Sequence, residues 1–158
     1  MNGFTTGPGS GIKIIPATWR DVKELYQLER ICFQTDAWPM LDVLGVLTLP
    51  QLIRLKAVDK ETMIGFIAAD LRRLQRTAWI ATFGILPEYR KSGIGSTLLE
   101  TCESQINLPR IRLSVRQSNS PAIQLYKKHG YVQVDIWRSY YRGGDNAIIF
   151  EKTLVTQT

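Results

Sequence analysis

The chain has 158 residues, 44% hydrophobic and 22% charged, the size and balance of one folded domain rather than of a disordered, collagenous or coiled-coil protein. Twenty Lys and Arg against fourteen Asp and Glu leave a net charge of +6, which favours an anionic partner: nucleic acid, ribosome or a phosphate-bearing small molecule. Two cysteines, Cys32 and Cys102, and one histidine, His129, exclude a disulfide scaffold and a histidine-rich zinc site, so no metal is expected and a reducing cytoplasm is the expected compartment.

Residues 1–11, rich in Gly, Thr and Ser, lack the basic start and apolar centre of a signal peptide and read as a flexible tail before a single domain over 12–158. Ile12–Ile15 is a short strand. Thr18-x-x-Asp21 has the spacing of a capping box with Asp in the Glu place, and it opens a helix to about Cys32 with Val22, Leu25, Leu28 and Cys32 on one face. Gln34–Pro39 is a loop and Leu41–Leu49 a short helix. Arg54–Val58 and Met63–Leu71 flank the turn quartet Asp59–Thr62 and predict an antiparallel hairpin, followed by a strand over Ala78–Leu86. After the loop Pro87–Gly93, helical spacing in Leu98, Leu99, Cys102 and Ile106 runs until Pro109. Ile111, Leu113 and Val115 alternate with Arg112, Ser114 and Arg116 as in a half-buried strand. Ser120 as N-cap and Pro121 start a helix that Gly130 stops, with His129 a cap residue complementing the helix dipole. Tyr131–Ser139 and Ala147–Leu154 are the last strands. The expected fold is α/β with a mixed sheet.

The segment Arg90-Lys91-Ser92-Gly93-Ile94-Gly95-Ser96 joins a strand to a helix. Its glycines let the backbone approach a ligand, the helix-start N–H groups form a nest for anionic oxygens, and Arg90 and Lys91 add charge, which suits a pyrophosphate. A plain strand-to-helix turn would use the glycines equally. No Walker loop is present, and Leu98 stands where a dinucleotide fingerprint needs its third glycine.

Ile85 to Gly95 resembles the Arg/Gln-x-x-Gly-x-Gly/Ala acetyl-CoA motif of the GNAT N-acetyltransferase superfamily. Leu113 to Tyr131 resembles the second block of the ribosomal-protein-alanine N-acetyltransferase (RimI-like) group, and Arg138-Ser139-Tyr140-Tyr141 with Asp145-Asn146-Ala147 is similar to that group's ending. The resemblance implies a GNAT fold: a twisted, mostly antiparallel sheet of six to seven strands with a splayed central parallel pair, flanked by about four helices. It implies acetyl-CoA as co-substrate, lying between the strand ending at Ile85 and the strand at Ile111–Arg116. Phe83, Gly84 and Ile85 would meet the pantetheine arm, Arg90 and the run Lys91, Ser92, Gly93, Ile94, Gly95 and Ser96 the pyrophosphate, and Asn119 the far side of the cofactor. Tyr126 falls where the family keeps the tyrosine that protonates the departing thiolate, a role open to a phenol of pKa about 10. Tyr126 is also placed to be a core aromatic, and Asn119 to bond its own turn. Tyr140 and Tyr141 would wall the acceptor entrance, with Trp38 opposite.

The second position of the family's Leu-Glu-Val-Arg block holds a glutamate base in many relatives and Ser114 here. A protein α-amine, with a pKa of about 7.7–8.0, is roughly a fifth to a third neutral at pH 7.4, whereas a lysine near 10.4 is only about 0.1% neutral. A protein N-terminus is therefore the expected acceptor, Ser114 positioning a water, with Glu29, Asp36 and Asp145 as replacement bases. Two rivals stand beside this reading. One is a small-molecule amine acetyltransferase of the same fold. The other is a non-catalytic basic module for ribosome or RNA, against which the basic residues are scattered and carry no interleaved aromatics.

Overall fold

The computed structural model describes residues 5–6 and 11–155. Within the expected tail, Thr5–Thr6 form a two-residue strand, β1, while residues 1–4 and 7–10 lie outside the described residues. β1 pairs antiparallel with β2, Ile12–Pro16. The capping box forms: the Thr18 hydroxyl accepts the Arg20 N–H at 3.3 Å, and Asp21 Oδ2 accepts the Thr18 N–H at 2.8 Å. This box caps a 3-10 turn, Trp19–Asp21, which runs straight into α1, Val22–Phe33. Asp21 is used twice, since Lys56 Nζ lies 2.6 Å from its other oxygen.

The remaining elements are α2 (Met40–Thr48), β3 (Leu52–Asp59), β4 (Thr62–Arg72), β5 (Thr77–Ile85), α3 (Ile94–Gln105), β6 (Arg110–Arg116), α4 (Ser120–Lys128), β7 (Val132–Trp137) and β8 (Ala147–Thr153). The expected loop at Gln34–Pro39 contains a 3-10 turn, Gln34–Asp36. No helix among the described residues is long and apolar enough to cross a membrane. The chain groups into two compact units, the first holding residues up to Asp70 with Ala81–Ile106, the second Leu71–Ile80 with Asn107 onward.

In the first unit β1, β2, β3 and β4 follow one another as antiparallel neighbours. β4 is buried along Met63–Ala69 on both faces, which is why its sequence is an apolar run instead of an alternation. Leu25 and Leu28 of α1 and Val43, Val46 and Leu47 of α2 pack with Met63, Phe66 and Ala68. Leu98, Leu99 and Cys102 of α3 are fully buried, each aliphatic side chain contributing about 1.5–3 kcal/mol. A bulge between Ala57 and Val58 leaves Ile64 outside the regular register of β4, and the Ile64 carbonyl accepts the Leu86 N–H at 2.9 Å.

In the second unit the order is β5-β6-β8-β7. The expected central parallel pair is β5 with β6, registered over Thr77–Trp79 and Arg110–Arg112. β8 inserts antiparallel between β6 and β7, so the chain's last strand is not its edge strand. β6 alternates as expected, with Ile111, Leu113 and Val115 inward. With eight strands of mixed pairing and four α-helices among the described residues, the expected mixed α/β class holds, β1 being the strand beyond the expected count.

One cap differs. Asn119, not Ser120, is the N-cap of α4, its Oδ1 accepting the Ala122 N–H at 3.3 Å, so Ser120 and Pro121 become the first two helical residues. Both residue types cap well, and Pro is accepted anywhere in the first turn where N–H groups are unbonded, so local pattern could not separate them. Asn119→Ala is expected to lower unfolding stability by about 1 kcal/mol, read from urea denaturation midpoints.

Candidate active site

The glycine segment begins with a closed turn. The Arg90 N–H donates to Pro87 O at 3.2 Å, Ser92 Oγ donates to Tyr89 O at 2.5 Å, and Tyr89 Oη donates to Asp59 Oδ2 at 2.8 Å, which ties the loop to the end of β3. Lys91 at φ 61° and Gly93 at φ 85° then adopt left-handed backbone on either side of Ser92, and α3 starts at Ile94. Gly93 at the N-cap carries no side chain to bond the first turn. The N–H groups at Ile94 and Gly95 therefore open outward from a helix end with the positive end of its dipole behind them, and Lys91 stands exposed beside them. Ile94 holds the loop down, its side chain 1% exposed. Gly95 and Ser96 are half-buried in the first turn.

Arg90 does something that the motif does not reveal. Its Nε donates to Ile85 O at 2.9 Å, and Cys32 Sγ donates to the same oxygen at 3.4 Å. That carbonyl thus accepts two donors, and Arg90 staples the loop to the end of β5. Burial pushes the Cys32 thiol up, Arg90 partly opposing. Gly84 lies under the end of α1: a Cβ there would come within 3.2 Å of Cys32 Sγ and 3.3 Å of the Phe33 ring. Phe83 is half-buried on the same strand.

Glu29, a candidate base, is 1% exposed. Its carboxyl accepts the Thr82 hydroxyl at 2.5 Å and the Trp38 backbone N–H, binding α1, β5 and the α1–α2 connection together. Trp38 itself packs half-buried on the α1–α2 core. Burial raises the Glu29 pKa above 4.5, against the pull of those two bonds. A carboxyl sealed in this way serves as an anchor, which corrects its reading as a base. Because its folded pKa is raised, the stability it contributes is complete below about pH 4.5 and is lost as pH climbs through the raised value. Glu29→Gln, which keeps an acceptor for Thr82, is expected to flatten the decline of melting temperature between pH 5 and 8; a parallel decline in both proteins would refute this assignment. Asp36 sits half-buried in the 3-10 turn after α1.

In the second unit Tyr126 is 6% exposed, edge-on to Tyr131 at 5.7 Å and tilted on Phe150 at 6.2 Å. Burial, then the Tyr141 charge, hold its phenol well above the ordinary value of 10. Tyr126 is thus a core aromatic that stays protonated. Ser114 is half-buried on β6, and Tyr141 Oη lies 3.4 Å from its hydroxyl. Arg116 stacks over the Tyr141 ring at 4.7 Å, and its Nη2 donates to Arg142 O at 3.2 Å. Asp145 accepts Ser118 Oγ at 2.6 Å and lies 3.5 Å from Arg116; these partners, Ser118 first, hold its carboxyl below the usual range. Its carboxylate is thus engaged by Ser118 and Arg116. The Asn146 side chain bonds Ser139 N–H at 2.9 Å and Gln117 at 3.0 Å, so the departure from Glu-Asp builds a pinned loop that carries Tyr140, 54% exposed, and Tyr141. His129 is the C-cap of α4, as expected.

The first unit thus holds an open helix start at Gly93, and the second a buried, protonated tyrosine on α4. The family model described as acetyltransferase (GNAT) family matches residues 19–131, and the chain belongs to this family. It is similar to the N-alpha-acetyltransferase of Sulfurisphaera tokodaii, 36% identical over 89 residues that cover 54% of this chain and 53% of that one, so the alignment spans about half of that relative. It is 29% identical to N-alpha-acetyltransferase 50 of Danio rerio over 83% of this chain and 80% of that one. The ribosomal-protein-S18-alanine N-acetyltransferase of Escherichia coli shares the fold, with a TM-score of 0.82 at 22% identity, covering 93% of this chain and 96% of that chain.

Proposed function

We propose that the protein transfers the acetyl group of acetyl-CoA to the α-amine of a protein N-terminus. The observation that carries this reading is the uncapped start of α3 at Gly93, with left-handed Lys91 before it. Backbone donors there, backed by the helix dipole and the Lys91 ammonium, bind a pyrophosphate in one orientation. Bound acetyl-CoA supplies a thioester whose sulfur is a good leaving group. Tyr126, protonated throughout the working pH range, would donate its phenolic proton to that sulfur and regain one from the amine nitrogen as the amide forms. Ser114 and Tyr141 present paired hydroxyls that orient the incoming amine or its water. The hydroxyl pair lacks a strong proton acceptor, which suits an amine already partly neutral at pH 7.4 and disfavours lysine. The acceptor class is also supported by relatives named as N-alpha-acetyltransferases.

The test is a panel of N-terminal peptides, their lysine-only N-blocked counterparts, polyamines and free L-amino acids, with thiol release followed by a colorimetric reagent. Peptides with a free α-amine are expected to react, and N-blocked lysine peptides not. Turnover of polyamines alone would overturn the acceptor, and the absence of any calorimetric signal with acetyl-CoA would overturn the reaction.

A further inference from the structure

Eleven of the twenty Lys and Arg, but three of the fourteen Asp and Glu, fall in residues 71–80 and 107–158, so the second unit carries a net charge of +8 and the first −2. What is scattered along the sequence is gathered by the topology. Arg110, Arg112 and Arg116 share the face of β6 opposite Ile111, Leu113 and Val115. Register sets Trp79 beside Arg112, and Trp137, through Ala147, beside Arg116. Strands β5 and β7 are separated by β6 and β8, about 14 Å in all. The rings of Trp79 and Trp137 nevertheless stack at 5.9 Å. The row continues on either side. The Arg72 guanidinium lies 5.4 Å from the Trp79 ring, and Tyr140 lies 5.3 Å from Trp137. Trp137 is 37% and Tyr140 54% exposed, and Arg72, Arg138 and Arg142 are exposed around them. Glu151 and Asp145 are each held by an arginine of β6.

We infer that this cationic, aromatic sheet face binds single-stranded nucleic acid, its arginines following the phosphates while Trp137 and Tyr140 stack on bases. Unpaired bases offer the π-faces that exposed rings require, which a duplex keeps within its own stack. The same face carries Ser114 and adjoins Tyr141, so a bound strand would lie over the ground proposed for the acceptor, although its binding needs no acetyl-CoA.

Fluorescence anisotropy of the full chain with fluorescein-labelled 15-nucleotide oligo(U) and oligo(dT) tests it. Saturable binding is expected with either strand, weakening about 50-fold from 50 to 200 mM salt if four phosphates are neutralised, with quenching of tryptophan fluorescence. Trp137→Ala is expected to weaken binding about 5- to 150-fold and Trp137→Phe far less, since a ring remains. Arg72→Gln should lower the slope of log affinity against log salt by about 0.7. Circular dichroism melting curves establish that each variant is folded. The inference fails if no saturable binding occurs at 50 mM salt. It fails equally if a 15-residue poly-glutamate binds as tightly and displaces the oligonucleotide, or if the folded Trp137 variants and Arg72→Gln all bind like the wild type.

Discussion

Tyr126→Phe is expected to lower kcat by about 10²- to 10⁴-fold, the range for loss of a positioned general acid, with little change in KM for acetyl-CoA. The substitution removes one oxygen and keeps the ring that packs on Tyr131 and Phe150, so the second unit retains its core. Because burial raises the phenol above its ordinary value of 10, the acid form persists to high pH. The wild-type rate should therefore show no alkaline fall from this group up to pH 10, and any acid limb belongs to the amine. A stopped-flow or steady-state profile over pH 6–10 reads both points. A Phe variant with full kcat would leave Tyr126 a packing residue only.

Gly93→Val should raise the dissociation constant for acetyl-CoA by about 100-fold, since left-handed backbone costs an L-residue about 1–2 kcal/mol and a β-branched one more. Relaxing φ from 85° turns the first N–H groups of α3 away from a common point, so donors are lost together. Gly93 O also accepts the Thr97 N–H at 3.1 Å, so the first helical bond shifts with it. Ile94, Leu98 and Leu99 keep α3 seated, which confines the damage to the loop. Titration calorimetry measures the affinity, and the melting temperature monitors the fold. Wild-type affinity in a folded variant would show that the glycine serves the turn alone.

Several features were legible because their causes are local. Thr18 and Asp21 bond across three residues, and the glycines of 93 and 130 sit at positive φ beside helix ends. The alternation of β6 follows from the pleat of the strand itself. Others were illegible for equally physical reasons. Glu29 sits one position from Leu28 on α1, and helical periodicity cannot say that a carboxyl will be buried until Thr82, 53 residues away, donates to it. The Arg90 side chain looks like fixed charge for a ligand, yet the carbonyl of Ile85 claims it.

The sequence by itself determined the element types, the glycine turn before α3 and the family, since each is written in neighbouring residues. Tertiary structure alone decided that β8 enters between β6 and β7 and that Trp79 meets Trp137. It also decided which carboxyls are sealed or neutralised, and that the positive charge collects on one unit. Those outcomes depend on strand order and register, which are set by the burial of whole faces and leave no mark in any short stretch of chain.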